Sequence, residues 1–126
     1  MKEIITAPGA PAAIGPYSHA VRSSGALYFT SGQIPLVPET GTLVSGDFSE
    51  QAEQVMKNLE AVLRAGGLGF GDVVKTMIFV TDLKNFPVLN EIYGRYVGKE
   101  PPARSCVEVS SLPAGALLEV EMIATY

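Results

Sequence analysis

Between positions 47 and 67, apolar side chains recur three and four residues apart: Ala52, Val55, Met56, Leu59, Val62 and Leu63. That spacing follows the turn of an α-helix and predicts a helix with one apolar face. Asp47 and Glu50 are placed like a capping box at its start, and Gly66 and Gly67 stand where it ends. A second helix is predicted over Phe86–Val97. Asn85 opens it, Pro87 sits in the first turn, where its missing N–H costs nothing, and Phe86, Leu89, Tyr93 and Tyr96 line one side. Elsewhere the pattern shortens to runs rich in β-branched and aromatic residues. Ser18–Arg22 and Leu27–Ser31 read as short strands, the second leading into a long loop marked by Gly32, Pro35 and Pro38 and ending about Gly46. Asp72–Asp82 (DVVKTMIFVTD), Ala103–Val109 and Leu117–Tyr126 read as three more strands, the last two separated by the turn-rich SSLPAG. Residues 7–16, APGAPAAIGP, predict an ordered loop. The run GGLGFGD follows a helix and precedes a strand, the reverse of a dinucleotide fingerprint, so it reads as a helix stop and turn.

Two amphipathic helices can cover only one face of a sheet of five or six strands, which leaves the other face in need of cover. The strand at 73–81 carries apolar side chains of both parities, Val73, Met77 and Phe79 against Val74, Ile78 and Val80, as expected of a strand buried on both sides. The pattern therefore predicts an α+β homo-oligomer in which sheet faces pack against other copies, with room for an active site between subunits.

Composition narrows the chemistry. The 126 residues fit a single domain, 1–126, and with 47% hydrophobic and 17% charged residues they suit a folded globule. A net charge of −4 and the lack of any basic run oppose nucleic-acid binding, which draws its affinity from clustered Lys and Arg. No segment has the apolar length of a membrane span, and MKEIITAPGAPAAIG does not read as a secretory signal, so a cytoplasmic location is expected. One cysteine, Cys106, and one histidine, His19, can build neither an internal disulfide nor a zinc cluster.

Side chains alternate along a strand, so Arg104, Cys106 and Glu108 share one face of theirs, and Glu119 and Glu121 share one face of the last. A guanidinium withdrawn from water needs an anion, either an internal carboxylate or a ligand. Its planar fork suits a substrate carboxylate; the bland alternative is an internal pair with Glu108, Glu119 or Glu121. Glu119 either positions a water or is a solvated strand residue. Cys106 reads as a packing or pocket-lining residue, since His19 lies in a distant segment and no other histidine exists to activate a thiolate. His19 itself reads as structural or exposed, and Tyr17 and Tyr93 as core or interface aromatics.

GPYSHAV (Gly15–Val21), TSGQIP (Thr30–Pro35), FPVLNEIYGRY (Phe86–Tyr96), PPARSCVEVSSLP and LLEVEMIA together resemble the RidA family, also called YjgF-type reactive-intermediate deaminases, over essentially the whole chain. The resemblance implies a chorismate-mutase-like α+β fold, a mixed sheet of about six strands with two helices on one face. It also implies a homotrimer with inter-subunit clefts in which 2-imino acids such as 2-iminobutanoate or 2-iminopropanoate are hydrolysed to 2-oxo acids and ammonia, without metal or organic cofactor. By position it places the carboxylate-binding arginine at Arg104 and the water-positioning glutamate at Glu119, with Tyr17, Gly32, Asn90 and Cys106 as further substrate contacts. His19 stands where glutamine is common in that family. The rival reading is a trimer that binds small carboxylates, or acts in a regulatory or chaperone-like way, without turnover.

Overall fold

The computed structural model describes residues Met1–Tyr126. Six strands and two helices follow in the order β1 (Lys2–Ile5), β2 (Ala20–Ser23), β3 (Leu27–Phe29), α1 (Phe48–Ala65), β4 (Val73–Val80), α2 (Phe86–Val97), β5 (Ala103–Glu108) and β6 (Leu118–Thr125). β1 and β2 form an antiparallel ribbon, while the other four strands lie in the order β3-β6-β4-β5. Only β4 and β5 run parallel, so the sheet is mixed. Their connection carries α2, as a parallel crossover requires.

Both helices occupy the spans their apolar spacing predicts, although the Asn85 side chain makes no capping bond to α2. The Asp47 side chain caps α1 by accepting from the Glu50 N–H at 3.2 Å, half of a capping box, and the chain turns off at Gly66. α2 spans the predicted Phe86–Val97, with Pro in its first turn and Gly98 at positive φ beyond its end. Both pack on one sheet face, where Val55, Leu59, Leu63, Ile78, Tyr93 and Val120 are fully buried. Each such aliphatic side chain contributes roughly 1.5–3 kcal/mol.

The first three strands depart from the sequence reading. β1 was not foreseen: Lys2–Ile5 is short and charged at two positions, and only its pairing with β2, Ile4 opposite Val21, makes it a strand. Its partner runs Ala20–Ser23 rather than Ser18–Arg22, because Ser18 instead donates its backbone N–H to Pro102 O at 3.1 Å. β3 stops at Phe29, yet the chain beyond it stays against β6, with Thr30 bonded to Met122 and Gln33 to Val120.

β4 lies inside the sheet, but its two faces are unequal. Thr76, Ile78 and Val80 are buried beneath the helices, and a register shift between Val73 and Lys75 turns Val73 to the same side. Met77 and Phe79 face the other way and are only half-buried. That second face has no helix on it. It exposes Phe29 by 68% on the edge strand β3 and Val107 by 41% on the opposite edge strand β5.

Candidate active site

Register assigns the candidate residues to faces. Thr76 of β4 pairs with Arg104 of β5 on one side and with Met122 of β6 on the other, so Arg104 points to the helix-covered face. Cys106, opposite Ile78, shares that face. Phe79 pairs with both Val107 and Glu119, so Glu119 points to the uncovered face. A single chain thus holds Arg104 and Glu119 on opposite sides of its sheet.

The first half-site surrounds Arg104 at the open edge of β5. Its Nη1 donates to Asn90 Oδ1 of α2 at 2.7 Å. The guanidinium carbon lies over three aromatic rings, 5.3 Å from the centroids of Phe86 and Tyr93 and 5.5 Å from that of Tyr17, within reach of cation–π attraction. Phe86, Asn90 and Tyr93 fall one and two turns apart, which puts them on one stripe of α2. Tyr93 is fully buried, and its hydroxyl donates to Thr76 Oγ1 at 2.9 Å, securing the ring beneath the guanidinium. Burial pushes that phenol up to about 12, with the Thr76 bond and the Arg104 charge acting in the opposite direction. Tyr17 enters from the loop before β2 and accepts the Ile14 N–H at 3.3 Å.

No carboxylate lies within ion-pair distance of Arg104. Glu108, one of the internal partners considered from sequence, accepts the Leu83 N–H at 2.9 Å instead. Burial lowers the Arg104 guanidinium from its usual proton affinity, partly offset by Tyr93, Cys106 and Tyr17, yet an arginine so placed remains charged at neutral pH. Burial also raises the Cys106 thiol, with Arg104 opposing. That favours the protonated thiol and agrees with a lining role.

The second half-site joins Gly32 and Glu119. A methyl group on Gly32 would stand 2.8 Å from Cδ and 3.1 Å from Cγ of Glu119, and closer still to Oε2. Only glycine admits the carboxylate here. His19 belongs to neither half: its Nδ1 accepts the Ala7 N–H at 2.9 Å and its Nε2 meets Pro11 O at 2.7 Å, so it ties down the 7–16 loop.

Of the residues chosen from sequence, Tyr17, Asn90, Arg104 and Cys106 share the helix-side half, and Gly32 and Glu119 the other. The sequence marks Phe86 as part of the apolar side of a helix and Tyr93 as a core or interface aromatic, not as neighbours of Arg104. Their spacing with Asn90 was the available signal, but core packing and site building use the same period.

No three His, Cys, Asp or Glu side chains converge as metal ligands, and no helix is long and apolar enough to cross a membrane.

Two helices on one face of a mixed four-stranded sheet, with a two-stranded ribbon beside it, place the chain in the chorismate-mutase-like class. The family model described as Endoribonuclease L-PSP matches residues 7–126, and the chain belongs to that family, the RidA or YjgF-type proteins. It is 55% identical over 116 residues to Protein DfrA of Myxococcus xanthus, covering 91% of this chain and 88% of that protein. It is 46% identical over 124 residues to Reactive Intermediate Deaminase A, chloroplastic, of Arabidopsis thaliana, covering 98% of this chain and 66% of the relative. Among solved structures, Escherichia coli TdcF with bound serine superposes with a TM-score of 0.75 at 41% identity, covering 98% of each chain.

Proposed function

We propose that this protein hydrolyses reactive 2-imino acids, such as 2-iminopropanoate and 2-iminobutanoate, to 2-oxo acids and ammonia, in clefts between the subunits of a homotrimer. The observation that carries the reading is an Arg104 held by neutral groups alone. Its charge is left for an anionic guest, and its fork matches a carboxylate. The name of the Arabidopsis relative and the serine bound to TdcF support a small amino-acid-like ligand. A net charge of −4 weighs against a nuclease.

In this mechanism Arg104 of one subunit grips the substrate carboxylate and fixes the C=N carbon in the cleft. Glu119 of a neighbouring subunit accepts a proton from water as the water oxygen bonds to that carbon, and that proton passes on to the imine nitrogen. In the resulting carbinolamine the hydroxyl proton passes to the amino group, the C–N bond breaks to release ammonia, and the C=O bond forms. Imines already hydrolyse in water, so one positioned acid–base group, worth about 10²–10⁴-fold, suffices.

The opposite-face placement of Arg104 and Glu119 makes the test sharp. Arg104→Ala and Glu119→Gln should each abolish accelerated decay of imino acid generated in place by an amino-acid oxidase. Mixed and reassembled, the two inactive variants should regain activity, because about a quarter of randomly assorted clefts receive both wild-type residues. Full activity in either variant alone, or none after verified subunit exchange, would overturn the proposal.

A further inference from the structure

We infer that Phe86 is a positioning residue for Arg104: its ring face, with those of Tyr17 and Tyr93, takes the place of an anionic counterion and leaves the Nε–Nη2 edge free for a ligand carboxylate. This deepens the reading of Arg104 as the carboxylate-binding group and rests on it. Three observations carry the inference. The guanidinium lies over all three rings at 5.3–5.5 Å. Its only hydrogen bond goes from Nη1 to a neutral amide, Asn90 Oδ1, while Nε and Nη2 donate to no protein acceptor. Beside Nη2 the chain carries Gly15, where even a Cβ would come to 3.6 Å of that nitrogen.

A buried cation can be held in two ways. A carboxylate partner would fix Arg104 firmly, but it would occupy the donors and cancel the charge that a ligand needs. A ring face attracts the charge through its quadrupole and accepts no in-plane hydrogen bond, so it restrains the side chain without consuming its fork. A restrained fork loses less freedom on binding. Phe86 is the separable member of the cage. The hydroxyls of Tyr17 and Tyr93 also bond to Ile14 N–H and Thr76, whereas Phe86 has only its ring, half-buried at the first turn of α2.

Phe86 could instead be plain packing, and the test must tell these apart. Replacing Phe86 with mono-, di- and trifluorophenylalanine keeps the ring's shape while progressively weakening its negative face. Affinity for 2-oxopropanoate, measured by calorimetry on the intact oligomer, should fall stepwise by about 2- to 10-fold in total, with the melting temperature held. Phe86→Tyr should bind like wild type, and Phe86→Leu should bind more weakly. An affinity constant across the fluorinated series assigns Phe86 to packing and overturns the inference. Arg104→Ala in the same assay distinguishes the two levels: if it loses binding while the series is flat, only the Phe86 role fails, and if it binds like wild type, the reading of Arg104 fails as well.

Discussion

Gly32→Ala tests whether the Glu119 carboxylate acts from the place where the fold puts it. The backbone at Gly32 does not require glycine, since its φ is outside the positive range. The cost is steric: a Cβ there stands 2.8 Å from Glu119 Cδ, so the carboxyl group must swing away, its nearer oxygen by roughly an ångström. The obstacle is the far end of a flexible side chain, so the fold should survive with its melting temperature nearly unchanged. A displacement of that size in a group that handles the attacking water costs on the order of 10²-fold in turnover. The carboxylate grip comes from Arg104, whose surroundings of Asn90, Tyr17, Phe86 and Tyr93 include neither Gly32 nor Glu119, so binding of 2-oxopropanoate should change less than turnover. The measurement is imino-acid decay at saturating substrate, beside calorimetric titration of the 2-oxo acid. Wild-type turnover in a folded Gly32→Ala protein would show that the position of Glu119 does not matter to the reaction.

Cys106→Ser should keep turnover within a few-fold, and iodoacetamide should label Cys106 slowly at neutral pH and faster in alkali, because burial favours the thiol; a loss near 100-fold would restore a nucleophilic role. Glu53 links the helices, accepting from Tyr96 Oη at 2.7 Å and Arg95 Nη2 at 2.6 Å, and the Tyr96 bond foremost lowers its proton affinity. A carboxyl lowered in the folded state adds stability above the ordinary carboxylate range and loses it as pH falls through the lowered value. The gap in urea midpoint between wild type and Glu53→Gln should therefore be steady near neutrality and close below about pH 4. A gap unchanged down to pH 3 would contradict this.

Local periodicity carried much of the fold. The apolar spacing from Ala52 to Leu63 and from Phe86 to Tyr96 marks both helices, since a helix face is written in neighbouring residues. β-branched runs marked five of the six strands. Alternation alone grouped Arg104 with Cys106, and Glu119 with Glu121. The excess of sheet over helix also pointed to an open face, now seen with Phe29 and Val107 upon it.

What spacing left open was decided by contacts between distant segments. β1 exists because β2 returns to pair with it, and the bulge beside Val73 turns one of the apolar residues inward. Whether Arg104 pairs with a glutamate depends on strand order and register. Those send Glu108 to the Leu83 N–H and Glu119 through to the other face, beside Gly32. The α2 stripe then supplies aromatic faces where a carboxylate could have stood. A residue's type and its near neighbours fix what it can do, but only the packed sheet fixes what it meets, because register is chosen by the burial of the whole core.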